Sequence, residues 1–185
     1  MLAASHGASL GAKDAMLKFL FRTLTAEPSR GAALFAAVTA EARQPHWYVA
    51  GAVADTIDGR FAMLATVTAL VVVRLERLGE EGTSASVALT ERFIDAMEAE
   101  HREMGLGDPK LGRTVRKLVG SLSGRVALWR SAIAGEREWS DAARESVYKG
   151  DASPDALEHT AAALRTLWTR LQHAELDALI EGRLG

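Results

Sequence analysis

A glutamate and a histidine three positions apart come closer to a metal site than any other pair in this sequence. Glu98 and His101 occupy positions i and i+3 of a predicted helix, so both side chains would lie on one face and could reach the same ion. Bundles that bind two metal ions use this Glu-x-x-His spacing twice, with further inward-facing glutamates. None of the other four histidines has an acidic residue three positions earlier. We therefore predict no metal site, and a carboxylate–histidine metalloenzyme is kept only as an alternative.

The glycine-rich corner that follows, Gly105–Gly112, has the residue types of a phosphate-binding loop. Glycines let backbone N–H groups approach an anion at the start of a helix, and the corner reads GLGDPKLG. The Gly-Lys-Ser/Thr ending of a nucleotide loop and the strand before it are both missing. The chain also has no cysteine and no Gly-x-Ser-x-Gly motif for a serine nucleophile. We therefore predict no catalytic residue, no cofactor and no enzymatic activity.

The same corner joins an acidic helix to a basic one, as in helix-turn-helix proteins. Residues 76–103 contain eight acidic and three basic residues, which gives −5, and residues 108–130 contain one acidic and six basic residues, which gives +5. A basic second helix is typical of DNA-binding modules. However, the two helices are predicted over residues 85–104 and 110–134, longer than such modules use, and the chain has a net charge of −2. A DNA-binding regulator stays the alternative, and nucleic acid is not the expected partner.

The elements that would hold these residues are almost all helices. Apolar residues recur at spacings of three and four. The most apolar run, FAMLATVTALVVV (61–73), has thirteen residues, whereas a membrane span needs about twenty. This run therefore predicts a buried core helix over about residues 57–78, with capping groups offered by Asp55, Thr56 and Asp58.

The predicted fold is all-α, an irregular bundle of about six to seven helices. The stretch GEEGTS (79–84) predicts a turn, and Ser153-Pro154 predicts the start of a final helix that runs to about Glu181. We interpret residues 1–15 as a flexible leader or a cloning remnant, with Met16 as an alternative natural start. Residues 16–185 are then a single helical domain.

Two separate stretches carry a resemblance to a known family. The first is WYVAGAVADTIDGRF (47–61), followed by a long apolar helix that ends in RLER (74–77). The second is REMGLGDPKLGRTVRK (102–117), continued to Gly124 and Arg125. Together they resemble the two signatures of the ubiquinol–cytochrome c chaperones, in the same order and separation, with the resemblance strongest over residues 30–130. Ala54 and Ser123 depart from the family pattern, which usually has a proline and an aromatic residue there.

The resemblance implies a non-enzymatic chaperone for the assembly of respiratory complex III, with cytochrome b or an assembly intermediate as its client. Mitochondrial members of the family resemble holders of newly made cytochrome b that work with a partner protein, so a small partner subunit is implied too. For a bacterial-type member the resemblance implies a cytoplasmic location, with peripheral contact at the inner membrane.

A chaperone of this kind needs a surface that holds a segment of a membrane protein. We expect a groove with apolar and methionine lining beside a charged rim. We also expect Asp55 and Asp58 to pair with basic residues of the later helix, and Trp47 either to plug the end of the bundle or to anchor a partner. The predicted client-binding residues come from both signatures: Trp47, Asp55, Asp58, Arg60, Phe61, Asp108, Gly112, Arg113, Arg116 and Lys117.

Overall fold

The computed structural model describes residues 31–103, 108–148 and 152–185, with the side chains of residues 31–100, 116–148 and 152–185. These residues form eight α-helices and no strand, which confirms the predicted all-α bundle. The helices are α1 Ala32–Ala42, α2 Pro45–Tyr48, α3 Ile57–Leu75, α4 Gly79–Glu103, α5 Asp108–Ile133, α6 Trp139–Val147, α7 Pro154–His173 and α8 Leu176–Ile180. The predicted leader and the boundary at Met16 lie outside the described residues.

The apolar run that predicts a core helix lies at the centre of the bundle, in α3. Thirteen of the nineteen residues of α3 are buried, and the helix contacts α1, α4, α5, α6 and α7. A helix that is apolar on every side needs cover on every side. Its buried hydroxyl groups are paired: Thr68 donates to the Leu64 carbonyl oxygen at 2.7 Å, and Thr66 Oγ1 lies 2.5 Å from Ser146 Oγ of α6.

No helix in the described ranges combines the length and the apolar character that crossing a membrane requires. This agrees with the interpretation of the run at residues 61–73 as core.

The connection between α3 and α4 is shorter than the sequence predicts. The predicted turn at residues 79–84 is wrong, because α4 begins at Gly79. A Cβ atom on Gly82 would lie 2.2 Å from the Leu75 carbonyl oxygen, so α4 crosses the end of α3 at a range that only glycine permits. Gly82 therefore serves helix packing, whereas Gly79 has a left-handed φ of +80° where α4 begins.

The predicted final helix is two helices. Ser153 caps α7 as predicted, because its hydroxyl accepts a hydrogen bond from the Ala156 N–H at 3.2 Å. The helix then ends at His173, and α8 begins separately at Leu176. The apolar spacing continues across this break, so the pattern alone does not mark it.

An arginine from the central helix fixes the C-terminal end of α7. Arg74 Nε donates to the Leu171 carbonyl oxygen at 2.8 Å, and Arg74 Nη2 donates to the Ala174 carbonyl oxygen at 3.0 Å. The last carbonyl groups of a helix have no partner within the helix and carry partial negative charge. Arg74 therefore satisfies two of them and also neutralises the helix dipole.

The short helix α2 is held against α7 by two histidines. His46 Nδ1 lies 3.2 Å from His159 Nε2, at hydrogen-bonding distance. Burial lowers the pKa of His46 below its ordinary value, and repulsion from His159 lowers it further. Glu41 and Arg170 also act on His46, in opposite directions, and they form an ion pair with each other at 2.9 Å. The folded protein therefore favours neutral His46.

Replacing Arg74 by methionine should lower the free energy of unfolding by about 1.5–3 kcal/mol, because two charge-assisted hydrogen bonds are lost while the apolar stem remains. Chemical denaturation measures this change. Arg144→Met is the matched control, because Arg144 is exposed on α6 and should change stability little. Equal denaturation midpoints for the two variants would contradict the capping role.

Lowering the pH from about 7.5 to about 5 should destabilise the protein through His46. The unfolded chain binds a proton near the ordinary histidine pKa of 6.5 and the folded chain binds it only at lower pH. Stability is therefore lost as pH falls through 6.5 towards the lower pKa of the folded state. His46→Gln should flatten this dependence in denaturation curves, and His173→Gln, an exposed histidine, should not. Parallel curves for wild type and His46→Gln would exclude the effect.

Candidate functional site

The first signature includes the end of α2 and the connector, residues 49–56 between α2 and α3, and its two aromatic residues tie it to the end of α1. Trp47 Nε1 donates to the Glu41 carbonyl oxygen at 2.8 Å, and the Tyr48 hydroxyl donates to the Ala42 carbonyl oxygen at 2.9 Å. These carbonyls belong to the last turn of α1, where carbonyl groups lack the i+4 partner of the helix interior. Trp47 has no exposed surface, so of its two predicted roles its position fits plugging the bundle end.

The connector is also held by Tyr148, which follows α6 and is itself bonded to Thr160 of α7. Tyr148 places its hydroxyl within hydrogen-bonding distance of the Gly51 carbonyl oxygen and 2.7 Å from Thr160 Oγ1. Burial raises the pKa of Tyr148, so the hydroxyl stays protonated. A Cβ atom on Gly51 would lie 2.5 Å from the Trp47 carbonyl oxygen, which leaves no room for a side chain. These contacts fix one side of the connector to the helices. Its other side is exposed to solvent.

The start of α3 is built around a short-range ion pair. Arg60 Nε donates to Asp55 Oδ1 at 2.7 Å, with both side chains well exposed, and this hydrogen bond lowers the pKa of Asp55. The prediction that Asp55 pairs with the later basic helix is therefore wrong, because its partner is Arg60. Thr56 caps the helix by accepting a hydrogen bond from the Gly59 N–H at 3.2 Å, and Asp58 lies exposed in the first turn.

Gly59 explains why the DTIDGRF motif needs a glycine inside a helix. A Cβ atom there would lie 1.9 Å from the Ala54 carbonyl oxygen. The connector therefore folds back directly onto the first turn of α3. This contact carries Ile57 to the surface, where it is 59% exposed, while Val49 on the connector is 79% exposed.

A small cavity opens between α1, α2, α3 and α4. We call it the anchor cavity, and its volume is about 130 Å³. Phe61, Leu64 and Met97 give it apolar walls, and Ile57 stands at its edge. The full lining is Thr39, Ala42, Arg43, Tyr48, Ile57, Arg60, Phe61, Leu64, Met97 and Glu100.

A wider and shallower depression adjoins the anchor cavity. Its volume is about 560 Å³, and its lining is Arg43, Pro45, Tyr48, Val49, Asp55 and Arg60. Three residues, Arg43, Tyr48 and Arg60, line both spaces. Cavity and depression therefore adjoin, and we call the two together the groove. It has the apolar, methionine-containing lining and the charged rim that the sequence predicts.

Two hydroxyl groups in the wall of this groove, those of Thr39 and Tyr48, are already paired. Thr39 Oγ1 donates to the Phe35 carbonyl oxygen at 2.8 Å, and the Tyr48 hydroxyl donates to the Ala42 carbonyl oxygen at the end of α1. Burial, reinforced by Asp55, raises the pKa of Tyr48 and keeps its proton in place. An apolar group can therefore occupy the cavity without breaking a hydrogen bond.

Phe61 forms the boundary between the groove and the core. It is half-buried, with its ring centroid 6.0 Å from that of the core residue Phe93, and the Arg125 guanidinium lies 5.7 Å from its ring centroid. Arg125 also donates to the Ser146 carbonyl oxygen at 2.9 Å and to Ser121 Oγ at 2.5 Å. Burial lowers the pKa of Arg125. Arg125 thus joins α5 to α6 behind Phe61.

The basic residues of the second signature are described only in part. Asp108, Gly112 and Arg113 lie in helix α5, but their side chains are outside the described residues, as is the corner at residues 104–107. Arg116 and Lys117 are exposed. Neither forms an ion pair with any side chain that the structure describes.

The metal hypothesis gains no support from the described residues. Among them no three histidine, aspartate or glutamate side chains are close enough to hold an ion. His101 has its side chain outside the described set, so its pairing with Glu98 stays untested.

Sequence reasoning did not find several residues of the groove, chiefly Arg43, Val49 and Met97. Arg43 comes from the end of α1, where no helical periodicity distinguishes a lining residue from a core residue. The stretch between α2 and α3 gives no signal either, because it contains two valines, of which Val49 is 79% exposed and Val53 is buried.

Comparison with known proteins gives a match over most of the chain. A family model described as ubiquinol-cytochrome C chaperone matches residues 50–184. This match includes the start of α3 and all of α5, but not Arg43 or Tyr48. The comparison with curated proteins gave no significant match.

A solved structure shares the fold. The crystal structure of the Cbp3 homolog from Brucella abortus superposes with a TM-score of 0.72 at 22% identity, covering 90% of this chain and 93% of that chain. The family model matches well over half of the residues, and it covers the second signature and all but the first three residues of the first. The chain therefore belongs to the ubiquinol–cytochrome c chaperone family.

Proposed function

We propose that this protein is a non-enzymatic assembly chaperone of the ubiquinol–cytochrome c reductase complex that binds cytochrome b, or an intermediate containing it. Family membership supports the chaperone role. The single observation that carries the binding site is the groove at the start of α3, with Val49 and Ile57 exposed at its rim. Large aliphatic side chains that are exposed together beside a cavity are typical of a surface that a partner covers.

The proposed client-binding surface combines this groove with the exposed part of the two signatures. Phe61 lines the anchor cavity, Arg60 lines cavity and depression, and Asp55 lines the depression. Trp47 supports the surface from beneath. The remaining proposed residues are Asp58 at the start of α3 and, on α5, Asp108, Gly112, Arg113, Arg116 and Lys117.

The client is a membrane protein, so we place the encounter at the cytoplasmic face of the inner membrane. The proposal includes peripheral contact with the membrane and a small partner subunit, both of which the family resemblance implies. The helix-turn-helix alternative gains no support, because α4 has 25 residues and α5 has 26. Modules that read DNA use shorter helices around their turn.

Replacing both rim residues, Val49→Ser with Ile57→Ser, should reduce capture of cytochrome b from detergent-solubilised membranes. Each truncation removes about 1 kcal/mol of apolar burial, which together corresponds to roughly tenfold or more in affinity. Quantitative pull-down with the full chain measures the loss.

Val87→Ser with Ile180→Ser is the matched control, because both residues are exposed aliphatic side chains on other helices, α4 and α8. The control should capture the client as wild type does. Equal capture by the two double variants would remove the rim from the site. Failure of wild type itself to capture cytochrome b, with normal complex III levels in a deletion strain, would refute the proposed function.

The double charge reversal Arg116→Glu with Lys117→Glu on α5 should weaken capture of cytochrome b. The loss relative to wild type should grow as ionic strength falls, because exposed charges act most strongly at low salt. Arg144→Glu on α6 is the control for a general change in net charge. Pull-down at two salt concentrations checks the difference. A double variant that folds normally and captures the client at every salt concentration would exclude α5 from the surface.

A further inference from the structure

We propose that the groove recognises a short peptide segment in which one large apolar side chain stands next to a carboxylate. This inference rests on the proposed function, since it concerns the same surface, and it names the chemistry of the client segment. The anchor cavity is the first reason. Its volume of about 130 Å³ is close to the ~150 Å³ of an apolar cavity that accommodates a benzene ring in another protein. One phenylalanine or leucine side chain therefore fills it.

The inner wall of the anchor cavity favours an apolar occupant. The hydroxyl groups of Thr39 and Tyr48 both donate within α1 or to its end. They have no proton left to offer a ligand. An apolar side chain would gain from contact with Phe61, Leu64 and Met97, while the charged lining residues Arg43, Arg60 and Glu100 are exposed.

The charges of the groove place the carboxylate in the depression. Arg60 is neutralised by Asp55. Arg43 lines both spaces, is exposed, and has no ion-pair partner among the described side chains. The depression thus carries one uncompensated positive charge. Glu100 lines the anchor cavity but not the depression, so it repels a carboxylate from the cavity itself. An acidic residue beside the anchor meets Arg43.

The test uses the full chain and four acetylated, amidated decapeptides on a Gly-Ser background. They differ only at two adjacent central positions, which are Phe-Asp, Ala-Asp, Phe-Lys or Ala-Lys. The Phe-Asp peptide should bind most tightly in an NMR titration. Loss of the ring should weaken binding roughly tenfold or more, and Asp replaced by Lys should weaken it roughly fivefold. Equal affinities for all four peptides, or no binding of any, would overturn the inference.

Two protein variants test the anchor cavity and the depression separately. Thr39→Phe should fill the cavity and abolish the preference for Phe over Ala. Its control is Thr169→Phe, because Thr169 makes the same bond to the carbonyl oxygen one turn earlier, Arg165 at 3.0 Å, and is exposed on α7. Arg43→Glu should invert the preference between Asp and Lys, whereas Arg144→Glu should leave it unchanged. An inverted preference cannot arise from misfolding. A preference unchanged in Thr39→Phe or in Arg43→Glu would sink the proposal.

The peptide test and the capture of cytochrome b fail independently. If wild type captures cytochrome b and both groove variants capture it equally well, the inference falls while the proposed function stands. If the peptides bind in the expected order but no cytochrome b is captured, the recognition chemistry stands and the client assignment falls.

Discussion

The need to cover α3 on all sides is the constraint on which the rest of this structure depends. Thirteen of its residues are buried, and removing that much apolar surface from water is the main favourable contribution to folding. Five other helices supply the cover. Only the first turns of α3 reach the surface, and there Gly59 allows the connector to pack against the helix. The groove therefore lies where the central helix leaves the core.

The strength of the core signal decides how much of the fold the sequence predicts. The run at residues 61–73 is apolar on every face, and its helix was placed to within a few residues. The predicted turn at residues 79–84 was wrong because Gly82 serves a contact between two helices, which only the packed structure reveals. The break between α7 and α8 was missed because the apolar spacing continues across it. Arg74 bonds to carbonyl groups at this break, and it lies a hundred positions away from one of its acceptors.

The site was predictable where a residue lies in a regular helix and less so elsewhere. Arg60 and Phe61 were expected at a binding surface and do line the groove. Asp55 was assigned the wrong partner. It pairs with Arg60, five residues later in the sequence, and not with the basic helix α5. Trp47 and Tyr48 are adjacent, yet one is fully buried and the other lines the groove. No periodic pattern in so short a helix distinguishes them, since their roles follow from how α2 meets α1.

The internal pairing of Thr39 and Tyr48 has a consequence for how a chaperone works. Hydroxyl groups that bond to their own backbone need no ligand. Thr39 and Tyr48 therefore leave no orphaned donor in the empty anchor cavity that would make the unloaded state unfavourable. If the groove holds the proposed client, loading and release can then be a reversible equilibrium governed by the concentration of the client. The client would leave when a neighbour in the growing complex binds it more tightly.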